Sequence, residues 1–133
     1  MKKDLKRHSI ILTRRELQIM KVVWRKRTVT VKDVHKTLRS KKPMTYSTIL
    51  TFMKILERKG ALCHSRIGRA FLFRPILTRH QATRNFVHNC IKHYFNGRPE
   101  KLIADVLNYE MTLPKQLENA KYFFDVRQEN EVA

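Results

Sequence analysis

Cysteine, glycine and acidic residues are scarce in this chain of 133 residues, and each scarcity excludes a class of protein. The two cysteines, Cys63 and Cys90, lie far apart and in no C-x-x-C arrangement, which argues against a disulfide scaffold and a thiolate zinc site. We expect both to be small buried hydrophobic side chains, with a redox-sensing thiol as the alternative. The three glycines form no phosphate-binding loop.

Catalysis has equally little support. The 11 acidic residues form no close pair in an apolar setting, and neither Ser47 nor Cys90 has an assignable histidine and acid partner. His88, Cys90 and His93 cluster on one predicted helix, but only Cys90 and His93 share a face, and such a pair more often packs than binds a metal. We therefore predict no enzymatic activity, no cofactor and no metal site, with metal sensing as the lesser alternative.

Long apolar runs are missing as well. The longest of them, such as residues 70–73, fall far short of the roughly 20 residues that span a bilayer. The basic N-terminus is not followed by the apolar core of a signal peptide. We therefore expect a cytoplasmic protein with no membrane insertion.

Positive charge is abundant, and it is confined to one end of the chain. The first 79 residues carry 22 Lys or Arg and 4 Asp or Glu, whereas residues 80–133 carry 7 of each. A basic surface that only improved solubility would explain the sign of the charge but not its confinement. The pattern predicts that the first part binds a polyanion, with nucleic acid favoured over an anionic membrane surface, and that the neutral part lies against protein.

A capping box predicts where the first helix begins. Thr13 is followed by Glu16 at the spacing of this motif, and the helix should run to about Arg25. Its buried stripe is predicted to consist of Leu17, Met20, Val23 and Trp24. Structure is expected to begin at Leu12, after a basic N-terminal arm over residues 1–11.

Two more helices follow by the same signals. Thr30 and Asp33 repeat the capping pattern, and a short second helix is expected to bury Val31, Val34 and Leu38. The third helix should open at Thr45 and end at Gly60, which can take the left-handed conformation just past a helix.

The period of the pattern then changes to that of a hairpin. Two short strands, Leu62–Ser65 and Ala70–Arg74, are predicted to be joined by a turn at Gly68. Three helices followed by a hairpin is the order of a winged helix-turn-helix domain. We therefore predict an α+β fold, mainly α, with a winged DNA-binding domain over residues 12–77 and C-terminal dimerisation helices after it.

Residues 78–133 return to helical signals. One helix is expected from Thr78 to about Phe95 and another from Pro99 to about Tyr109. This segment is too short for a core of its own, yet it holds seven aromatic residues. These residues either pack back on the basic domain or pair with a second chain, and zero net charge with a wide apolar arc favours pairing. The predicted dimerisation residues are Ala82, Phe86, Val87, Cys90, Ile91, Tyr94, Leu102 and Val106.

The third helix, residues 45–59, carries two distinct faces on a helical wheel. One face is apolar and is assigned to the core: Ile49, Phe52, Met53 and Leu56. The other face combines short hydroxyl groups, which allow close approach to base edges, with cations that meet phosphates. The DNA-binding residues predicted on this helix are Tyr46, Ser47, Thr48, Leu50, Thr51, Lys54 and Arg58. Leu50 lies outside the core arc, where it is placed to touch a thymine methyl group.

Two arginines mark the hairpin, residues 62–74, as a second DNA-contacting element. Arg66 and Arg69 flank the predicted tip at Ile67 and Gly68, which places guanidinium groups along the sugar-phosphate backbone or in the minor groove. A merely solvated turn is the alternative.

Four segments of the chain occur in the order found in one protein family. These segments read LTRRELQIMKVVW, TVTVKDVH, MTYSTILTFMKILERKG and GRAFLFRP. On them the chain resembles the BlaI/MecI/CopY family of penicillinase and copper-responsive repressors, over residues 12 to about 107. The resemblance implies a nucleoid-associated bacterial homodimer that binds double-stranded operator DNA at inverted repeats of TACA/TGTA type and represses transcription until a signal releases it.

The same resemblance implies roles for particular residues. Ser47, Thr48 and Thr51 correspond to the family's recognition residues, with Leu50 beside them and Arg69 in the wing. A basic protein that binds DNA or RNA without reading sequence remains the competing hypothesis, although the chain lacks aromatic-glycine RNA motifs.

The signal that releases the repressor is left open. Antibiotic-responsive members are cut within their dimerisation helices after a membrane sensor metalloprotease detects the drug, so such a protease is a candidate partner. Asn85–Phe86 is a dipeptide of the type that is cut, but it lies about a helical turn from the expected position. Copper-responsive members carry paired C-x-C motifs, and this chain has no cysteine after Cys90.

Overall fold

The computed structural model describes residues 9–39 and 44–109. Its elements in chain order are α1 (Arg14–Lys26), α2 (Val31–Leu38), α3 (Tyr46–Lys59), β1 (Leu62–Ile67), β2 (Ala70–Pro75), α4 (Arg79–Tyr94) and α5 (Pro99–Leu107). This order confirms the predicted winged helix-turn-helix, an α+β fold that is mainly α. Of the described residues, those up to Val87 form one compact unit, and those from His88 to Tyr109 belong to a second.

Capping residues set the start of the helices, as the sequence predicts. Capping boxes begin three helices, formed by Thr13 with Glu16, Thr30 with Asp33, and Thr78 with Gln81. The N–H of Thr30, with the Thr30 hydroxyl and nearby lysines, holds the pKa of Asp33 below its usual value. Gly60 ends α3 with a φ of 93°, in the left-handed region that favours glycine.

The core of the first unit lies between the three helices and the base of the hairpin. Its fully buried members include Ile19, Met20, Val23, Ile49, Met53, Leu56, Leu62 and Leu77. The predicted stripe of α1 was partly wrong, because Leu17 and Trp24 are only half-buried and Ile19 and Val22 are buried in their place. The buried face of α1 meets α2, α3 and β2. Trp24 lies at its edge, where the indole N–H donates to the carbonyl of Leu77 at 2.8 Å.

Ordered packing starts before Leu12, which corrects the expected beginning of the structure. Ile10 is 6% exposed and belongs to the core. The carboxamide of Asn85 donates to the carbonyl of Ile10 at 3.0 Å and fixes this stretch against α4. Residues 1–8 of the predicted basic arm lie outside the described part of the chain.

The hairpin is longer than predicted and turns one residue later. Its antiparallel register runs from Leu62↔Pro75 to Ile67↔Ala70, so the tip consists of Gly68 and Arg69. Gly68 has a φ of 62° at the first position of this two-residue turn, the geometry of a type II′ hairpin. Arg69 therefore occupies the tip instead of flanking it.

A single residue in the loop between α1 and α2 extends the hairpin. Val29 and Phe73 exchange two backbone hydrogen bonds, at 2.9 and 2.7 Å. Both side chains are buried. The bridge therefore ties the base of the hairpin to the start of the helix-turn-helix.

Both cysteines are half-buried, which corrects the expectation that they are buried hydrophobic residues. The sulfur of Cys63 accepts a hydrogen bond from Nε of Arg74, its cross-strand partner, at 3.0 Å. An arginine on the exposed side of β2 explains why this thiol is not enclosed.

The second unit contains the end of α4 and all of α5. Asn96 and Gly97 end α4 with positive φ values of 53° and 78°, and Pro99 occupies the first turn of α5. These observations confirm the predicted boundary between the two helices. No described helix is long and apolar enough to cross a membrane.

Candidate nucleic-acid interface

One exposed stripe runs along α3 opposite its buried face. Ser47, Thr51, Lys54 and Arg58 are all exposed, whereas Ile49, Met53 and Leu56 have no exposed surface. The stripe places hydroxyl groups near the N-terminus of the helix and cations further along. At about 1.5 Å of rise per residue, Arg58 lies about 16 Å along the axis from Ser47.

Local hydrogen bonds determine what each hydroxyl group can offer to a base. The Thr45 hydroxyl donates to the Thr48 hydroxyl at 2.8 Å, so the proton of Thr48 remains free to donate. The Thr51 hydroxyl donates to the carbonyl of Ser47 at 2.9 Å and can therefore only accept from DNA. The helix thus presents Thr48 as a donor and the exposed Thr51 as an acceptor.

A cleft of about 600 Å³ separates α3 from the hairpin. Three cations, Lys32, Lys54 and Arg69, line it together with the side chains of Tyr46, Leu50 and Phe71. Leu50 is half-buried and packs on the core, so its predicted position outside the core arc is corrected. Three cations against the one carboxylate of Glu57 give this largely apolar cleft a net positive charge, which suits a sugar-phosphate strand.

Lys32 is a member of this group that the sequence did not reveal. It lies in the first turn of α2, exposed, in the element that precedes the recognition helix. Its spacing from Lys54 and Arg69 along the chain carries no signal that the three converge. Only its position at the start of the first helix of the helix-turn-helix, the helix that crosses the DNA backbone, could have suggested a phosphate contact.

The two wing arginines differ in conformation. Nε of Arg66 donates to the carbonyl of Gly68 at 3.2 Å, and its guanidinium lies 5.7 Å from the centroid of the Phe71 ring. Arg66 is therefore folded back on the hairpin. Arg69 makes no such contact with another described residue; it is exposed at the tip and lines the cleft.

Of the predicted DNA-binding residues, Tyr46, Leu50, Lys54 and Arg69 line the cleft, whereas Ser47, Thr48, Thr51, Arg58 and Arg66 do not. Arg58 lies at the C-terminal end of the α3 stripe. It lines a shallow depression with Ser9, Ile10, Ile11 and Lys59 and does not line the cleft. Its exposure and its place on the α3 stripe leave it available for a phosphate further along a duplex.

The predicted dimerisation residues fall in both units. In the first, Ala82 is half-buried against the core of its own chain, whereas Phe86 and Val87 are exposed. In the second, Cys90, Ile91 and Leu102 are half-buried, and Tyr94 and Val106 are exposed, Tyr94 to 80%. Among the described residues there is no group of three or more His, Cys, Asp or Glu that could hold a metal ion.

Comparison with known proteins identifies the family. The penicillinase repressor family model matches residues 12–123. The chain belongs to the penicillinase repressor family. Members of this family are DNA-binding transcriptional repressors and not enzymes, so the exposed stripe of α3 and the adjacent cleft belong to a DNA-binding regulator.

One curated relative and two solved structures illustrate the family. The penicillinase repressor of Bacillus licheniformis is 28% identical over 92 residues, which cover 69% of this chain and 72% of the relative. The solution structure of the DNA-binding domain of the repressor BlaI is 31% identical, covers 53% of this chain and 85% of that chain, and gives a TM-score of 0.49. The monomeric form of Bacillus licheniformis BlaI in complex with the blaP half-operator is 30% identical, covers 55% of this chain and 89% of that chain, and gives a TM-score of 0.49.

Proposed function

We propose that this penicillinase repressor family member acts as a homodimer on promoter inverted repeats of TACA/TGTA type, and that an inducing signal releases it. The observation that carries the proposal is the exposed stripe of α3, in which hydroxyl groups with defined donor and acceptor roles adjoin the cationic cleft. Affinity then comes mainly from phosphates, and specificity from a few base edges.

The residues of the interface have three different roles in this proposal. Ser47, Thr48 and Thr51 enter the major groove, and Leu50 follows them along the wall of the cleft. Lys32, Lys54, Arg58 and Arg69 bind phosphates, and Tyr46 packs on the sugar-phosphate strand. Arg66 acts by shaping the wing, since its guanidinium is already engaged within the hairpin.

Dimerisation is proposed from the apolar surface of the second unit. Tyr94, Ile103, Val106 and Tyr109 are large apolar or aromatic side chains that are exposed in the single chain, and no residue of α5 is buried. Residues 80–133 carry no net charge, so two copies can approach closely. A twofold dimer would place two copies of α3 in successive major grooves about 34 Å apart. We accordingly assign DNA binding to residues 12–77 and dimerisation to residues 78–133.

Release by a membrane sensor metalloprotease is one of two proposed routes, and a shift between conformations is the other. The Asn85–Phe86 bond lies within α4, and the side chain of Asn85 is buried and bonded to Ile10. A protease would therefore need local unfolding of α4 before it could cut there. This placement makes Asn85–Phe86 a poor scissile bond.

The repressor is proposed to act on the chromosome, in the cytoplasm.

A competition titration tests sequence-specific repression. The probe is a labelled duplex with a TACA/TGTA inverted repeat, and the competitor is a scrambled duplex of the same composition at the same salt concentration. A specific repressor is expected to prefer the repeat by about 10³-fold or more. A ratio near one would instead identify a non-specific architectural or RNA-associated protein.

Thr51→Ala is expected to relax discrimination at one base pair of each half-site. The substitution removes an acceptor and a methyl group but leaves the cations in place, so it should cost about 1 to 3 kcal/mol on the inverted repeat. Fluorescence anisotropy with both duplexes measures the effect. Equal losses on the repeat and the scrambled duplex would contradict direct readout by Thr51.

Arg69→Ala is expected to weaken binding to every DNA sequence. Because Arg69 faces the cleft from the wing tip, its loss should lower the slope of log affinity against log salt by about 1. Lys101→Ala is the matched control, since Lys101 is an exposed cation on α5. If the control flattens the slope as much as Arg69→Ala does, the wing is not a phosphate-binding element.

A further inference from the structure

The outer half of the wing, residues 64–71, contains no buried residue. A two-stranded hairpin is at best marginally stable on its own, so a wing that places Arg69 on DNA needs a link to the rest of the domain. At its base, Leu62 and Phe73 are buried and the bridge to Val29 supplies that link. Beyond the base, some other contact must orient the tip.

Glu57 and His64 provide that contact. The Glu57 carboxylate on α3 is bonded to Nδ1 of His64 on β1. In the described part of the chain, this is the only hydrogen bond or ion pair that joins residues 64–71 to a helix.

The imidazole also continues the contact into the wing. Its ring meets the Phe71 ring edge-on, with centroids 5.1 Å apart, and lies 5.5 Å from the centroid of Phe73. Phe71 in turn contacts Arg66, whose guanidinium lies over the Phe71 ring. A continuous series of side chains thus runs from the recognition helix to the wing tip.

The negative charge of Glu57 is unexpected on a surface proposed to bind DNA. Glu57 is the one carboxylate among the described residues that line the cleft, where its neighbours are Lys32, Lys54 and Arg69. A negative charge on a surface that binds a polyanion lowers affinity by simple electrostatics. A structural role for Glu57 that favours DNA binding would explain why a carboxylate lies in this cleft despite its unfavourable charge.

We propose that Glu57 and His64 are positioning residues that hold the outer wing at a fixed distance from α3, so that Arg69 and the recognition helix engage one DNA strand together. The inference rests on the proposed DNA-binding function. It adds two residues that affect affinity although they belong neither to the base-reading residues of α3 nor to the phosphate-binding cations. Electrostatics alone would make removal of the Glu57 side chain strengthen DNA binding, whereas the proposal expects weaker binding when the bond between Glu57 and His64 is lost.

The test uses three substitutions in the full chain. Glu57→Ala removes the bond to His64, whereas Glu57→Gln keeps an acceptor oxygen for the imidazole N–H while removing the charge. His64→Phe keeps the ring contacts with Phe71 and Phe73 but deletes the bond. His80→Gln, at an exposed histidine on α4, is the control.

Glu57→Ala and His64→Phe are each expected to weaken binding to the inverted-repeat duplex about 3- to 10-fold, and the double substitution should be no weaker than the weaker single one. Glu57→Gln should bind within about twofold of the wild type. Thermal melts should show each Tm within about 4 °C of the wild type, because a pair this exposed contributes little to global stability.

Two outcomes would overturn the proposal. In the first, Glu57→Ala binds DNA as tightly as the wild type or more tightly, as expected for the mere loss of a negative charge. Alternatively, Glu57→Ala and Glu57→Gln behave alike. Binding to the scrambled duplex is measured in parallel, because wing contacts with phosphates act on any sequence. A wild type without preference for the repeat would refute specific repression but would leave the effect of the Glu57–His64 pair measurable.

Discussion

Simultaneous Tyr94→Asp and Val106→Asp substitutions are expected to lower affinity for the complete inverted repeat by about 100-fold or more. Both side chains are exposed on the helices assigned to dimerisation, and a charge at each would have to be desolvated for two copies to pair. A dimer binds its second half-site as an intramolecular step, and this advantage of about 10² to 10⁴ disappears when the chains separate. Sedimentation velocity measures the dimer, and anisotropy measures the affinity.

Half-site duplexes provide the internal comparison for this prediction. Affinity for a single half-site should change little, because the winged domain itself is intact. Lys101→Asp is the matched control, since this one exposed substitution on α5 makes the same change of net charge as the two aspartates. If the double variant remains dimeric and binds the complete repeat normally, the pairing surface lies elsewhere.

Glu16→Ala is expected to destabilise the winged domain by about 3 kcal/mol. The Glu16 carboxylate is 1% exposed, accepts from the N–H of Thr13 at 2.8 Å, and forms a 2.8 Å ion pair with Nζ of Lys59. Its removal therefore takes away half of a capping box and leaves a cavity where the carboxylate was buried, whereas Lys59, with a side chain that is 36% exposed, stays solvated. Urea denaturation followed by circular dichroism measures the loss.

Glu16→Gln separates the charge of Glu16 from its role in capping. The carboxamide keeps an acceptor for the Thr13 N–H, so we expect it to retain more than half of the lost stability. Equal destabilisation by alanine and glutamine would assign the effect to the ion pair alone. No change with either variant would show that the buried carboxylate is dispensable.

Acid should reproduce part of the effect of removing Glu16. Burial acts to raise the pKa of this carboxyl, but hydrogen bonds from Lys59 and Thr13 outweigh it and hold the pKa below its usual value. A carboxyl with a lowered folded-state pKa stabilises the fold above its unfolded pKa, and that stability is lost as the pH falls through the folded value. The Glu16→Ala variant should therefore lose less stability than the wild type when the pH falls below about 4.

Local signals were sufficient to predict the elements of this fold. Thr13, Thr30 and Thr45 mark helix starts through hydrogen bonds made within four residues, and Gly60 marks an end through its own backbone. Such interactions depend on neighbours in the chain, which the sequence shows directly.

Features that depend on residues far apart in the chain were missed, because the sequence does not show which distant residues come into contact. Glu16 and Lys59 are separated by 43 positions, and nothing in either segment indicates that they pair. Ile19 is fully buried and Leu17 only half-buried, because α1 packs against α2, α3 and β2, which are distant in the chain. Likewise, Lys32 joins the cleft only once α2, α3 and the wing are assembled.

The backbone bridge between Val29 and Phe73 also bears on how fast and how favourably the domain associates with a duplex. Because the loop leading into α2 is bonded to β2, and β2 is paired with β1, the base of the wing is already ordered before it meets a duplex. The entropic penalty of association is then small, and preorganisation of this kind leaves more of the electrostatic attraction as net affinity.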